Sequence, residues 1–181
     1  MAGIPSHEER FHNNMIDLGK LLHELISTCY DRGITIVNPV LVPMAMTYVE
    51  GMEKRKVIEN FIERSKHVWD KILQRDESFF AENTQQLFMD LPNDAVKAVA
   101  TLFTARDKEG KYIISEDDRE AIWVFFDSFL KICIKYIHDK REPKVKTDNG
   151  VRKLMYRVRY QDKIDLLDYA KRYNLELKWP T

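Results

Sequence analysis

The stretch "REAIWVFFDSFLKICIKYIHDKR", residues 119 to 141, constrains the fold of this chain more than any other. Wound at 3.6 residues per turn, Ile122, Phe125, Phe126, Phe129, Leu130, Cys133, Ile134 and Ile137 make one broad apolar face, and Trp123, Val124, Ile132 and Tyr136 put hydrocarbon on the remaining sides. A helix that is apolar nearly all round has to be covered by other elements. It is therefore expected at the centre of a helical body. Asp127, Lys131 and Lys135 interrupt it, and no uninterrupted apolar run reaches the roughly 20 residues of a membrane-spanning helix, so no membrane partner is expected.

The rest of the chain has the means to cover it. Phe11, Met15, Leu18, Leu22, Leu25 and Cys29 recur at spacings of three and four, which predicts a helix over residues 11–29. In "DRGITIVNPVLVP", Gly33, Asn38-Pro39 and Pro43 supply turn geometry and deny backbone donors, so a connector with a short extended piece is expected. A second long helix is expected from about Met44 to Gln74, with Gly51 as the place where it would break. Its buried stripe is Ile58, Phe61, Ile62, Ser65, Val68, Trp69 and Ile72, with Lys54, Arg55, Lys56, Arg64, Lys66 and Lys71 on a solvated side. "DESFFAENTQQLF" reads as a shorter helix begun by Asp76, and "LPNDAVKAVATLFTA" as another with Pro92 near its first turn.

After Pro143 the period shifts to two. Val145, Leu154, Tyr156, Val158 and Tyr160 alternate with polar residues around Asn149-Gly150, a strong hairpin signal because both positions tolerate positive φ. A helix from about Asp162 to Tyr173 follows, and "NLELKW" alternates again at Leu175, Leu177 and Trp179. The expected fold is mainly α, a bundle-like helical body with a small C-terminal antiparallel β-sheet. It would form one domain over 1–181, with the body at 1–140 and a basic hairpin, helix and terminal strand packed on it at 141–181. The 44% hydrophobic and 32% charged composition, with six Gly and six Pro, fits one globular unit. Cys29 and Cys133 are the two cysteines and fall on apolar stripes, so reduced core thiols are expected. "MAGIPSHEERFHNN" has neither the basic start nor the apolar run of a secretory signal, and an intracellular location is expected.

Several chemistries have partial signatures. "DKEGKYIISEDD", residues 107 to 118, begins like a calcium loop, but Lys111 puts an ammonium at a ligand position and Tyr112 stands where glycine permits the sharp turn. The last ligand, Asp118, is shorter than Glu. The same residues read well as a connector: a turn at Asp107 to Gly110, a brief pairing by "KYII", and a capping box from Ser115 to Asp118. A metal-dependent enzyme using Asp107, Glu109, Asp117 and Asp118 is the minor alternative. His7, His12, His23, His67 and His138 lack ligand spacing, and of Asp162, Asp165 and Asp168, which recur at helical spacing, two lie in the first turns of their helix, where carboxylates suit its dipole. Zinc-hydrolase, nucleotide-loop and serine-hydrolase motifs are absent from the sequence, so no catalytic residue, metal ligand or cofactor is assigned.

One segment asks for a partner. Lys plus Arg equals Asp plus Glu at 29 each, yet residues 140–159 hold Lys140, Arg141, Lys144, Lys146, Arg152, Lys153, Arg157 and Arg159 against Glu142 and Asp148. If Asn149-Gly150 closes a two-residue loop, Lys144, Lys146, Lys153, Arg157 and Arg159 share one face. Like charges facing each other are destabilising, which favours an anionic cover, either nucleic-acid phosphate or an acidic protein surface. The competing reading is a solvated face whose lysines discourage edge pairing. The leading expectation is a non-enzymatic binding protein; the alternative is an assembly protein that forms homo-oligomers through its helices.

"VIENFIERSKHVWDKILQRDESFF", "FFDSFLKICIKYIHDKREP" and the closing "NLELKWP" resemble small helical proteins of uncharacterised role in large double-stranded DNA viruses of amoebae, of the marseillevirus kind, over roughly residues 50–180. The resemblance implies an intracellular viral product, in the host cell or the virion, with a binding or assembly role. It carries over no functional residue.

Overall fold

The computed structural model describes residues 3–35, 37–141 and 160–177. Nine α-helices are found among them: α1 (His7–Asp31), α2 (Leu41–Gly51), α3 (Lys54–Ser65), α4 (Trp69–Leu73), α5 (Ser78–Glu82), α6 (Thr84–Leu87), α7 (Asn93–Thr104), α8 (Glu116–Arg141) and α9 (Tyr160–Arg172). A single 3-10 turn, Lys66–Val68, joins α3 to α4. The chain divides into two compact units, Met1–Phe129 and Leu130–Thr181, and α8 runs through the division.

In the first unit α1 starts at a capping box: Ser6 Oγ accepts from Glu9 N–H at 3.1 Å, and the Glu9 carboxylate accepts from Ser6 N–H at 3.1 Å. It buries Phe11, His12, Leu18, Gly19, Leu22, Ile26 and Cys29, and packs on both α2 and α3. The expected second long helix is α2, α3 and, after the 3-10 turn, α4, broken after Gly51 where Met52 is extended. α2 also starts three residues earlier than expected. Pro43 falls in its first turn, where a missing N–H costs nothing, and Asn38 Oδ1 accepts from Val40 N–H at 3.0 Å to shape the entry. The helix expected to begin at Asp76 is two short ones, and α5 starts at Ser78 with Glu77 at its N-cap. The Asp76 carboxylate accepts from Ser78 N–H at 3.0 Å, and its bonds with Ser78, the hydroxyl's first and the backbone's second, hold that carboxyl below its ordinary value.

Aromatic rings make up much of the first unit's core. Phe11 meets Phe61 at 5.1 Å and Phe129 at 4.9 Å between ring centroids, which ties α1, α3 and α8 together. Phe80 stacks on Phe103 at 3.8 Å and meets Trp123 edge-on at 4.8 Å, tying α5, α7 and α8. Such pairs contribute roughly 0.5–1.5 kcal/mol each beyond area burial. The burial of Trp123 follows from the all-round hydrocarbon of α8, although Val124 is exposed.

In the second unit α8 continues with Leu130, Ile132, Cys133, Ile134, Tyr136 and His138 buried. α9 buries Leu166 and Ala170, and Tyr173 just beyond its end is buried too. Burial pushes the Cys133 thiol well above its ordinary value, and Cys29 is raised for the same reason, so neither is a ready nucleophile.

The expected C-terminal β-sheet is corrected by the structure: no strand occurs among the described residues. Tyr160, expected to end a strand, opens α9. Leu175, expected in a terminal strand, donates its N–H to Ala170 O at 2.8 Å, while Asn174 N–H donates to Lys171 O at 3.2 Å with φ at 59°. This is a Schellman closure of α9, and it takes up the donor that a β-ladder would have used. The remaining strand positions, Val145, Leu154, Tyr156, Val158 and Trp179, and the Asn149-Gly150 turn lie outside the described residues. The pairing that does form is elsewhere, an isolated antiparallel bridge between Arg106 and Tyr112.

Candidate functional site

Lys144, Lys146, Lys153, Arg157 and Arg159 lie outside the described residues. What the structure shows is the helix that leads into them: α8 continues to Arg141, and exposed Lys140 sits with Nζ 5.4 Å from the Tyr136 ring. α9 then begins at Tyr160. Residues 142–159 thus lie in sequence between the end of α8 and the start of α9. Of the aspartates of α9, the Asp162 side chain lies outside the described residues, and Asp168 pairs with Arg172 at 3.1 Å, one turn further on.

The loop that begins like a calcium site is a self-closed turn. Asp107 Oδ1 accepts from Glu109 N–H at 2.8 Å and Lys111 N–H at 3.0 Å, and Gly110 N–H donates to Asp107 O at 3.0 Å with Gly110 at φ 81°. Lys111 Nζ lies 3.8 Å from the Glu109 carboxylate. The Asp107 oxygens are thus engaged by three backbone N–H groups and the Glu109 carboxylate by an ammonium. Ser115 Oγ accepts from Asp118 N–H at 3.1 Å, the first half of the expected capping box. Among the described residues no three His, Cys, Asp or Glu side chains gather closely enough to hold a metal ion.

Two arginines organise the polar groups around α8. The Arg119 guanidinium lies between two rings, 3.4 Å from the Tyr112 centroid and 4.2 Å from that of Phe103. It donates to Phe103 O and to the Glu77 carboxylate. The Tyr112 hydroxyl donates to the same Glu77 carboxylate, and this bond raises the phenol above its ordinary value. Arg75 forms a fork with Asp127, with bonds of 2.8 and 2.7 Å, and reaches Glu120 at 2.9 Å. Both guanidiniums are held by these carboxylates and carbonyls, so both clusters tie loops to α8. His12 has a similar role, with Nε2 2.9 Å from Val49 O between α1 and α2.

Sequence reasoning missed two apolar features. The first is a cavity of about 90 Å³ beneath α2, walled by Met15 and Leu18 of α1, Ala45 and Met46 of α2, Val99 of α7 and Phe126 of α8. Thr84 is the one polar side chain in its lining, and its hydroxyl donates back to Phe80 O at 2.6 Å. The second is the outer side of α2, where Val40, Met44 and Tyr48 are 57%, 49% and 55% exposed at a spacing of four. The signal for the second was present in "VLVPMAMTYV", ten residues without a charge. No helix among the described residues is long and apolar enough to cross a membrane. No protein-family model, curated protein or solved structure matches the chain.

Proposed function

We propose that this chain is a non-catalytic binding protein whose basic stretch, residues 140–159, contacts nucleic-acid phosphate. The observation that carries the reading is charge segregation. Eight cations and two anions fall in that stretch, while the whole chain is neutral at 29 against 29, which leaves the remainder six charges acidic. A patch of one sign on an otherwise acidic molecule attracts polyanions locally and keeps the rest of the surface away from them. The polar clusters described around α8 support the reading, because their donors and acceptors are committed to each other. In keeping with the viral resemblance, the protein would act inside a host cell or virion.

The test is fluorescence anisotropy of labelled mixed-sequence duplex DNA and single-stranded RNA. It compares the wild type with a variant carrying Lys146→Glu, Lys153→Glu, Arg157→Glu and Arg159→Glu. The expected result is wild-type binding that weakens about a hundredfold over a fourfold rise in salt, as roughly four phosphate contacts require, and no binding by the variant. Equal absence of binding in both overturns the nucleic-acid reading and turns the search to an acidic protein partner.

A second reading, an assembly protein that associates through its helices, has one observation in its favour. α2 carries hydrocarbon on its outer side as well as its inner one, and an all-round apolar helix is ordinarily covered. A solution mass of one chain at high protein concentration, unchanged by Met44→Glu with Tyr48→Glu, rules this reading out.

A further inference from the structure

The cavity beneath α2 plays no part in the proposed contact with phosphate. Protein interiors leave few voids larger than a water molecule, and a void walled by hydrocarbon has nothing to hold water with. Here the lone polar lining group, the Thr84 hydroxyl, already has its acceptor in Phe80 O. Shape and size narrow the occupant further. At about 90 Å³ the cavity is smaller than the roughly 150 Å³ void that accepts benzene, so a thread of a few methylenes fits it better than a ring. It is also open on one side, and half-buried Met15, Met46, Leu91 and Val99 contribute to its lining, so a polar head can stay in water while the chain end is buried.

The wall has adaptable parts. Methionine has three rotatable bonds and fills irregular gaps, and two of the lining residues are methionines. Met46 lies directly on the backbone of α1 at Gly19, its sulfur 1.7 Å from where a Cβ would stand. Glycine at that position leaves the thioether room that any other residue would take. We propose that the cavity beneath α2 binds the end of the aliphatic chain of a small, free, single-chain amphiphile. Burying a few methylenes is too little to draw a lipid out of a bilayer, because the bilayer already buries the whole chain.

Methionine methyl NMR with 1-hexanol tests this on the wild-type protein. Met15 and Met46 line the cavity, while Met44, on the opposite side of the same helix, and Met89 are 49% and 58% exposed and serve as references. The expected result is saturable shifts at Met15 and Met46 with the references unmoved. No saturation, or parallel shifts at Met44 and Met89, overturns the proposal, as do shifts elicited by phosphatidylcholine vesicles and not by 1-hexanol. Ala45→Leu and Val99→Phe fill the cavity from different helices. In whichever variant retains the wild-type helical circular dichroism, hexanol affinity is expected to fall at least tenfold, and an unchanged affinity overturns the location. The wild-type methyl map decides the matter alone if neither variant folds.

Discussion

Two helix ends in the first unit close in the same way, one with glycine and the other with arginine. At the end of α1, Gly33 has φ 79°, its N–H donates to Tyr30 O at 2.9 Å, and Ile34 N–H donates to Cys29 O at 2.9 Å. At the end of α4, Arg75 has φ 55°, its N–H donates to Ile72 O at 3.2 Å, and Asp76 N–H donates to Lys71 O at 2.9 Å. Both are Schellman motifs. Glycine adopts that conformation without a steric penalty, whereas a residue with a Cβ is strained there by roughly 1–2 kcal/mol. The difference teaches what the side chain contributes. Arg75 holds Asp127 with two bonds, reaches Glu120, and places its guanidinium 5.7 Å from the Trp123 ring, so the strained backbone is kept by contacts with α8.

The comparison can be broken by substitution. Arg75→Ala keeps the strain and loses the fork, whose side chains are 31% and 20% exposed, so a loss of about 2 kcal/mol is expected in urea unfolding followed by tryptophan fluorescence. An unchanged midpoint would show that the fork contributes nothing. Arg75→Gly loses the fork and relieves the backbone, so its cost is expected to be about half as large. If the two variants unfold alike, the strain argument fails. Gly33→Ala isolates the backbone part, because nothing lies within 4 Å of the added Cβ, and it is expected to cost about 1 kcal/mol or slightly less. The smallest effect belongs to α9. Asn174→Gly should change stability by no more than about 0.5 kcal/mol, since asparagine already tolerates φ 59°. A larger change would mean that its side chain does more than close the helix.

Gly33 was readable as a turn in the sequence, and Arg75 was not. A glycine announces positive φ by its chemistry, while an arginine adopts it only because Asp127, 52 residues away, holds its side chain. The same division runs through the fold. α1 and α8 were legible because their apolar spacing persists over many turns, and the 107–110 turn was legible from Asp107 and Gly110. The sheet was misread because alternation in Leu175 and Leu177 carries no information about where the N–H of Leu175 goes. The start of α2 was misread because Pro43 looks like a helix breaker until its position in the first turn is known. The basic residues from Lys144 to Arg159 were legible as charge, and their arrangement lies outside the described residues. The cavity had no sequence signal, because a void is set by the distances between α1, α2, α7 and α8.

The pairing of α1 with α8 also sets a clock on synthesis. Asn14 donates to Ser128 Oγ at 2.7 Å across 114 residues of chain, and Phe11 packs on Phe129 beside it. At roughly 5–20 residues per second, α1 leaves the ribosome on the order of ten seconds before that half of its seam exists. During that interval the ring of Phe11 has only Phe61 of these two aromatic partners to reach. α1 and α3 therefore form the half of this core that can be assembled on the ribosome, and the arrival of α8 completes it.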